Sequence, residues 1–432
     1  MHLVFENLVK NLVHLWTGTF KKMDHHDQPY VLRPTVWNAI GAASAASGST
    51  IPSSFRSRPQ NVAEEKYAMT AETWVFWFSY LGPILLEGQF LNNKLVELIN
   101  LCIQFDIPQN DIHCIREGFQ TWVVNYESLY YQNTPNWLPT CPTTVHTLLH
   151  IADGIEQMGP MWVYWAFPME QYCLKLSRAI TSRRFPWSNL SNRVTATAQL
   201  TEIGQRYGCL QEISFKKRLQ DDNYDKEYVL VWPRKEQPKL GPGLVTKLIS
   251  ALSTRYSKKA KGIPMKTMRS LCSMKNVVSW GWLRRLGCGD LMHAADTTTS
   301  TAPDRRDATF ICYQALADRN IQLRDKRSEF DLKMYFGQLK GIYMVQVPPS
   351  KDLGLKTLDT VVFAEVAMCK DVTAHSSLNI HYYRKLGGTE IVDIMTIQCL
   401  VGQILWKGRW AIINRSGTLA QALVADDLSD YE

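Results

Sequence analysis

Apolar residues recur at three- and four-residue intervals through the first half of the chain, the spacing of amphipathic helices. In residues 3–16, Leu8, Leu12, Leu15 and Trp16 fall on one face and predict a buried helix. Thr70-Ala71-Glu72-Thr73 offers an N-cap with a carboxylate in the first turn, and helices are predicted near 71–81, 91–105, 109–132 and 143–158. Pro168 suits a first helical turn, with Met169, Tyr172, Cys173, Leu176 and Ile180 following at helical spacing. Glu170 falls in that first turn and Arg183 and Arg184 at the far end, both matched to the helix dipole, with Phe185 and Pro186 as the stop. A further helix is expected to Tyr207 with Val194, Ala198, Leu200 and Ile203 inward. The small, Ser-rich residues 41–60 predict a loop, and 216–239 an exposed connection. Residues 243–285 predict one or two helices. Leu244, Leu248, Ile249 and Leu252 can pack there while Lys247, Arg255, Lys258, Lys259 and Lys261 face outward.

After a predicted surface loop at 287–306 the period changes from 3.6 to 2. Short alternating runs appear at Tyr335–Val347, Thr360–Ala367, Leu378–Tyr383, Glu390–Met395, Cys399–Leu405 and Arg409–Ile413, with Gly387-Gly388 and Arg415-Ser416-Gly417 as turns. The expected class is α+β: a mainly helical N-terminal two-thirds followed by a small, mostly antiparallel β-barrel or sandwich. The expected division is 1–210, 211–306 and 307–432, the last a binding or docking module.

Net charge changes this picture because it is unevenly spread. The chain carries +8 over 432 residues, yet residues 171–290 hold 23 Lys and Arg against 8 Asp and Glu. Between Glu236 and Asp290 no acid occurs among eleven basic residues. Such a block is either a solvated basic face or the footprint of a polyanion. On the second reading, a basic helix over 243–261 lies along phosphates without reading bases. The ten cysteines show no CxxC pair and are expected to be reduced thiols. The N-terminus lacks the basic start and cleavage site of a signal peptide. The most apolar run, Trp74–Leu86, contains Gly82-Pro83 and is too short to span a bilayer.

Candidate chemistry is sparse. Asp24-His25-His26-Asp27 is a metal cluster or an exposed loop. Cys141, His146, His150 and Asp153 have partial zinc spacing, with the histidines at i, i+4, but no second thiolate; the alternative is a polar helix face. Trp162, Tyr164 and Trp165 are core, or a platform for an unpaired base. Arg56 and Arg58 are open to phosphate contact. There is no P-loop, GxSxG or HExxH motif and no constellation for a small-molecule substrate.

The run GPMWVYWAFPMEQY…SRRFPWSNLSNRV…AQL resembles the segment after the helical insertion of fungal CACTA-type (En/Spm, Plavaka-like) DDE transposases. MHLVFENLVKNLVHLWTG, AIGAASAASGSTIPSSF, LPTCPTTVHTLLHIADGIE, DRRDATFICYQ, FGQLKGIY, LNIHYYRKLGGTEIVDIMTIQCLVGQI and RWAIINRSGTLAQAL extend the likeness over nearly the whole chain. The resemblance implies a ribonuclease-H-like core in which three carboxylates hold two Mg²⁺ ions for in-line attack on a phosphodiester. It makes Glu170 the candidate third acid; the plainer reading is that Glu170 caps its own helix or pairs with Arg178 or Arg183. It makes Met1-His2 the end of an Asp-x-x-His second-acid signature, so that both other acids precede this sequence in a longer parent. It makes 1–210 the helical insertion and C-terminal part of a catalytic domain, and Arg183, Arg184 and Arg193 phosphate contacts. The expectation is a truncated, nuclear, transposase-derived protein. It binds transposon ends or non-specific duplex, is open to self-association, leaves Mg²⁺ to the intact parent enzyme and is not competent for cut-and-paste transposition alone. The alternative is a domesticated, non-catalytic DNA-binding or chromatin-associated protein.

Overall fold

The computed structural model describes all residues except 1, 24–27, 56–57, 66, 91–92, 210–212, 214–220, 257–264, 272–275, 287–288, 298–305, 319, 321–328, 352 and 417–432. Helices and one large antiparallel sheet divide into two compact units, Met1–Lys10 with Lys94–Arg218, and Asn11–Asn93 with Leu219–Gly417. No described helix is long and apolar enough to cross a membrane. The chain opens with two joined helical stretches, His2–Leu8 and Val9–Trp16, burying Leu8, Leu12, Leu15 and Trp16 as the spacing predicts.

In the first unit, Leu98, Ile99 and Cys102 of helix Lys94–Cys102 and Ile112, Ile115 and Phe119 of helix Gln109–Tyr126 supply buried faces where the two helices meet. Helix Ile151–Met158 closes on the second of these through Arg116, which reaches Asp153 and Glu156 at 2.8 Å each. Tyr126 Oη donates to the Thr140 carbonyl at 2.7 Å, so the buried phenol is satisfied. Helices Phe167–Ala179 and Pro186–Tyr207 complete the unit.

In the second unit, helix Pro34–Ala46 replaces the loop predicted from 41 onward, with short helical turns at Ser47–Ser49 and Ser53–Phe55. The small residues are there for close approach rather than flexibility. A Cβ on Gly41 would stand 2.1 Å from Asn61 Oδ1 and 2.7 Å from Ala63 Cβ, and Ser44 and Ser47 are buried. Helix Ala71–Phe76 starts as predicted, with Thr70 Oγ1 accepting from Thr73 N at 3.3 Å.

The sheet strands are β1 (Asp221–Asn223), β2 (Tyr228–Glu236), β3 (Val277–Arg285), β4 (Leu291–His293), β5 (Phe310–Asp318), β6 (Phe330–Val347), β7 (Asp359–Lys370), β8 (Thr373–Ala374), β9 (Ile380–Tyr383), β10 (Lys385–Asp393), β11 (Ile397–Trp406) and β12 (Arg409–Asn414). Their main order is β1-β2-β3-β6-β5-β11-β12-β9-β8; β7 joins β6, β10 joins β7 and β4 joins β3. Long β6 pairs with β5 over Phe330–Gln338, then with β3 over Ile342–Val345. Gly337, within the β5 pairing, is a matter of space against β7: a Cβ there would stand 2.6 Å from the Ala367 carbonyl. Alternation places residues on two faces. Ile342, Met344, Val362, Ala364 and Val366 join Trp280, Leu283, Ile311 and Tyr313 in one core. Tyr343, Val345, Val347, Val361 and Phe363 meet Leu248, Ile249 and Leu252 of helix Pro242–Tyr256 in another.

Each of the six predicted alternating runs contains a strand, although Leu378-Asn379 lies ahead of β9 and Ile394-Met395 falls in a helical turn, but the sheet begins about 90 residues before the predicted switch of period. Residues 216–239 are not simply an exposed connection, because Tyr228–Val231 is a buried run in β2. Val277–Arg285 is β3 rather than the end of a basic helix, and Leu291–His293, expected in a loop, pairs with it. Strands and helices accordingly mix from β1 onward, with helices Pro242–Tyr256 and Met265–Leu271 between β2 and β3, instead of a helical two-thirds followed by strands. Gly387-Gly388 makes an irregularity inside β10, where the register with β7 shifts between Leu386 and Thr389, instead of a turn.

Candidate nucleic-acid interface

Helices Phe167–Ala179 and Pro186–Tyr207, with the connector between them, carry Arg178, Arg183, Arg184 and Arg193. Pro168 stands in the first turn of one helix as predicted. Pro186 opens the next helix rather than stopping the first, since its fixed φ and missing N–H suit that position. Arg183 and Arg184 therefore lie on the connector between helices, and Arg178 occupies the last turn of the first.

That connector is held by its own hydrogen bonds. Asn189 Oδ1 accepts from Thr181 N at 2.9 Å and from Thr181 Oγ1 at 3.3 Å; Ser182 Oγ accepts from Phe185 N at 3.2 Å. The Arg184 guanidinium sits 5.2 Å from the Phe185 ring centroid, a cation–π pair at the surface. The two arginines are presented from a fixed turn, not a loose loop.

Both helices are far more open than their spacing predicts. Val194, Ala198, Leu200 and Ile203, expected inward, are exposed, and Gly204 is the buried residue of helix Pro186–Tyr207. Met169, Tyr172, Cys173 and Ile180 are exposed and Leu176 is half-buried. Trp187 is 80% exposed and Phe185 60%, the two aromatics that flank Pro186. Sequence reasoning did not single out Trp187, although its place beside Arg183-Arg184 was the available signal. From Gln171 to Thr201 there are five basic residues, Lys175, Arg178, Arg183, Arg184 and Arg193, and no acid. Arg178, Arg183, Arg184 and Arg193 are all exposed. Upstream, Trp162 Nε1 donates to the Phe105 carbonyl at 3.0 Å and its ring meets Phe105 edge-on, so this indole is anchored to the helical core; Tyr164 is exposed.

The basic helix of the second unit is arranged differently. Lys247 Nζ donates to the Thr389 carbonyl at 2.7 Å and to its hydroxyl, and Arg255 pairs with Asp393. Both cations tie helix Pro242–Tyr256 to β10 across a groove of about 500 Å³. Next to them Tyr256 Oη donates to Asp359 at 2.7 Å, and burial pushes the phenol pKa up. Lys258, Lys259 and Lys261 lie outside the described residues, as do Asp24–Asp27 and Arg56. Arg58 lies against Gly48.

Glu170 lies in the first turn of its helix and His2 begins the first helical stretch, but both side chains are outside the described set. His146 and His150 approach at 3.2 Å between Nε2 atoms, while Asp153 is engaged by Arg116. Among the described residues no three His, Cys, Asp or Glu side chains converge to hold an ion. Comparisons of the chain with protein-family models, with curated proteins and with solved structures returned no match.

Proposed function

We propose that this chain is a nuclear, transposase-derived DNA-binding protein of the CACTA type, which engages the phosphate backbone and does not cut DNA by itself. The observation that carries the DNA-binding part is the open pair of helices with an acid-free basic stretch from Gln171 to Thr201. Arg183 and Arg184 on its braced connector, with Arg178 and Arg193, offer guanidinium forks to phosphate oxygens. Exposed Phe185 and Trp187 beside them offer flat apolar surfaces to sugars and bases. The transposase part rests on the sequence resemblance. In this reading residues 1–210 derive from the helical insertion and a partial ribonuclease-H-like core, the strands after 307 close together with β1–β4 as a barrel-like docking module, and exposed apolar residues promote self-association. Mg²⁺ belongs to the parent enzyme.

The test is binding of the full chain to a short duplex across a salt series. Counterion release predicts that log K falls linearly with log salt, by about 0.9 per phosphate neutralised. Binding that is absent at low salt, or flat across the series, overturns the reading.

A further inference from the structure

Cys312 on β5 and Cys399 on β11 stand directly opposite each other in an antiparallel pair. Opposed residues in such a pair have Cα atoms about 4.5 or 5.5 Å apart, within the roughly 4.4–6.8 Å that a disulfide requires. Both side chains enter the same apolar cluster, with Phe310, Phe336, Tyr383, Val401 and Ile412. The Cys312 thiol donates to Met334 Sδ at 3.7 Å and the Cys399 thiol to Asn414 Oδ1 at 3.5 Å. Register and shared face together meet the backbone conditions for a covalent bridge.

The seam they occupy is the narrowest in the sheet's centre. β5 runs alongside β6 from Phe310 to Asp318, and β11 alongside β12 from Val401 to Trp406. Between β5 and β11 the pairing covers only Ile311–Tyr313 against Ile397–Leu400, with an irregularity between Ile397 and Cys399. That irregularity gives the backbone the local freedom to draw the sulfurs together. Everything from β11 outward, namely β12, β9 and β8, joins the rest of the sheet through this short seam.

We propose that Cys312 and Cys399 are an oxidisable pair that closes a cross-strand disulfide and staples this seam. Cys399 is the attacking sulfur. It keeps 6% exposure where Cys312 has none, so a peroxide reaches it first, and its S–H donates to Asn414 Oδ1 at 3.5 Å. With a peroxide as oxidant, the Cys399 thiolate attacks one oxygen, the O–O bond breaks and hydroxide leaves, giving a sulfenic acid. Cys312 then attacks that sulfur, the S–O bond breaks, and its proton leaves with the oxygen as water. Two thiols and one peroxide become one disulfide and two waters. A Cys312–Cys399 bridge closes a loop of about 87 residues and restricts the unfolded chain accordingly.

The experiment treats the folded full-length chain with hydrogen peroxide, blocks remaining thiols, digests with trypsin without reductant and reads the peptides by mass spectrometry. The expected product joins the peptide 307–319 to the peptide 386–407, two hydrogens lighter than their sum, and is released by dithiothreitol. The oxidised protein is expected to melt about 5 °C or more above the reduced one. Cys369→Ser leaves the linked product unchanged, and Cys312→Ser leaves Cys399 as a sulfenic acid that dimedone traps. Free thiols at both positions after oxidation of the folded chain overturn the proposal. So does a bridge from either cysteine to Cys369, or direct passage to sulfinic and sulfonic acids in the unsubstituted protein.

Discussion

Replacing Arg183, Arg184 and Arg193 together by Ala separates a phosphate-binding surface from a merely basic one. All three side chains are exposed, so their loss is expected to change folding stability by no more than about 0.5 kcal/mol. If each neutralises one phosphate, the triple variant flattens the slope of log K against log salt by about 2.7. Going from 50 to 200 mM salt costs roughly 3.5-fold in affinity per contact, so the unsubstituted chain loses about 40-fold more than the variant over that range. The control is Lys247→Ala with Arg255→Ala. These cations are bound to Thr389 and Asp393, so that variant keeps the slope and lowers the melting temperature by a few degrees instead. Fluorescence anisotropy with a labelled duplex gives the slopes, and calorimetry gives the melting temperatures. An unchanged slope in the triple arginine variant, or an equal flattening in the Lys247/Arg255 variant, refutes the assignment of the interface to the two open helices.

Gly41→Ala is expected to destabilise the second unit by about 1–3 kcal/mol in urea titrations, because the added methyl overlaps Asn61 and Ala63. A fragment starting at 307 is expected not to fold alone, since it lacks Tyr228, Leu230, Trp280 and Leu283 from the shared core; a cooperative thermal transition with β-type circular dichroism would contradict this. His381 has its pKa lowered from 6.5 by burial, so the unfolded chain takes up the proton first. Its contribution to stability is present above pH 6.5 and is lost as pH falls toward the folded value; melting temperature should drop between pH 7 and 5, and His381→Phe should reduce that slope. Purified chain incubated with duplex DNA and Mg²⁺ or Mn²⁺ should leave it intact, and nicking that disappears in Glu170→Gln would show that a complete site is present.

The strands after 330 were readable because β-branched and aromatic residues crowd between turn signals, as in β7, whose Val361 and Phe363 face one core and Val362, Ala364 and Val366 the other. β2 and β3 were harder to read. β2 is buried only over its first half, Tyr228–Val231, and then runs into Arg234-Lys235-Glu236, so charge masks its strand character. β3 carries Trp, Gly and two terminal arginines, which also suit a basic helix. Helix Pro34–Ala46 was hidden because Ala, Gly and Ser read as flexible when no bulky partner is visible, although Ala is the best helix former. At the candidate interface, helix spacing was legible and burial was not. An amphipathic stripe tells which residues share a face, but not whether anything covers it, and Val194, Leu200 and Ile203 are open. Nor could local sequence show that Lys247 and Arg255 would meet acceptors on a strand more than 130 residues later.

The second unit draws on two stretches of chain far apart in sequence, and that sets a timetable for its assembly on the ribosome. Thr50 Oγ1 binds the Gln403 carbonyl, 353 residues later, and Ile51 and Phe55 lie where a Cβ on Gly402 would touch them. At about 5–20 residues per second, their partner strand emerges roughly 18–70 s after them. Until then the finished N-terminal helices have no sheet to close on, and Ile51 and Phe55 remain available to any holdase that recognises apolar segments. Expression yield should therefore depend on chaperone supply more steeply than the stability of the completed fold would suggest.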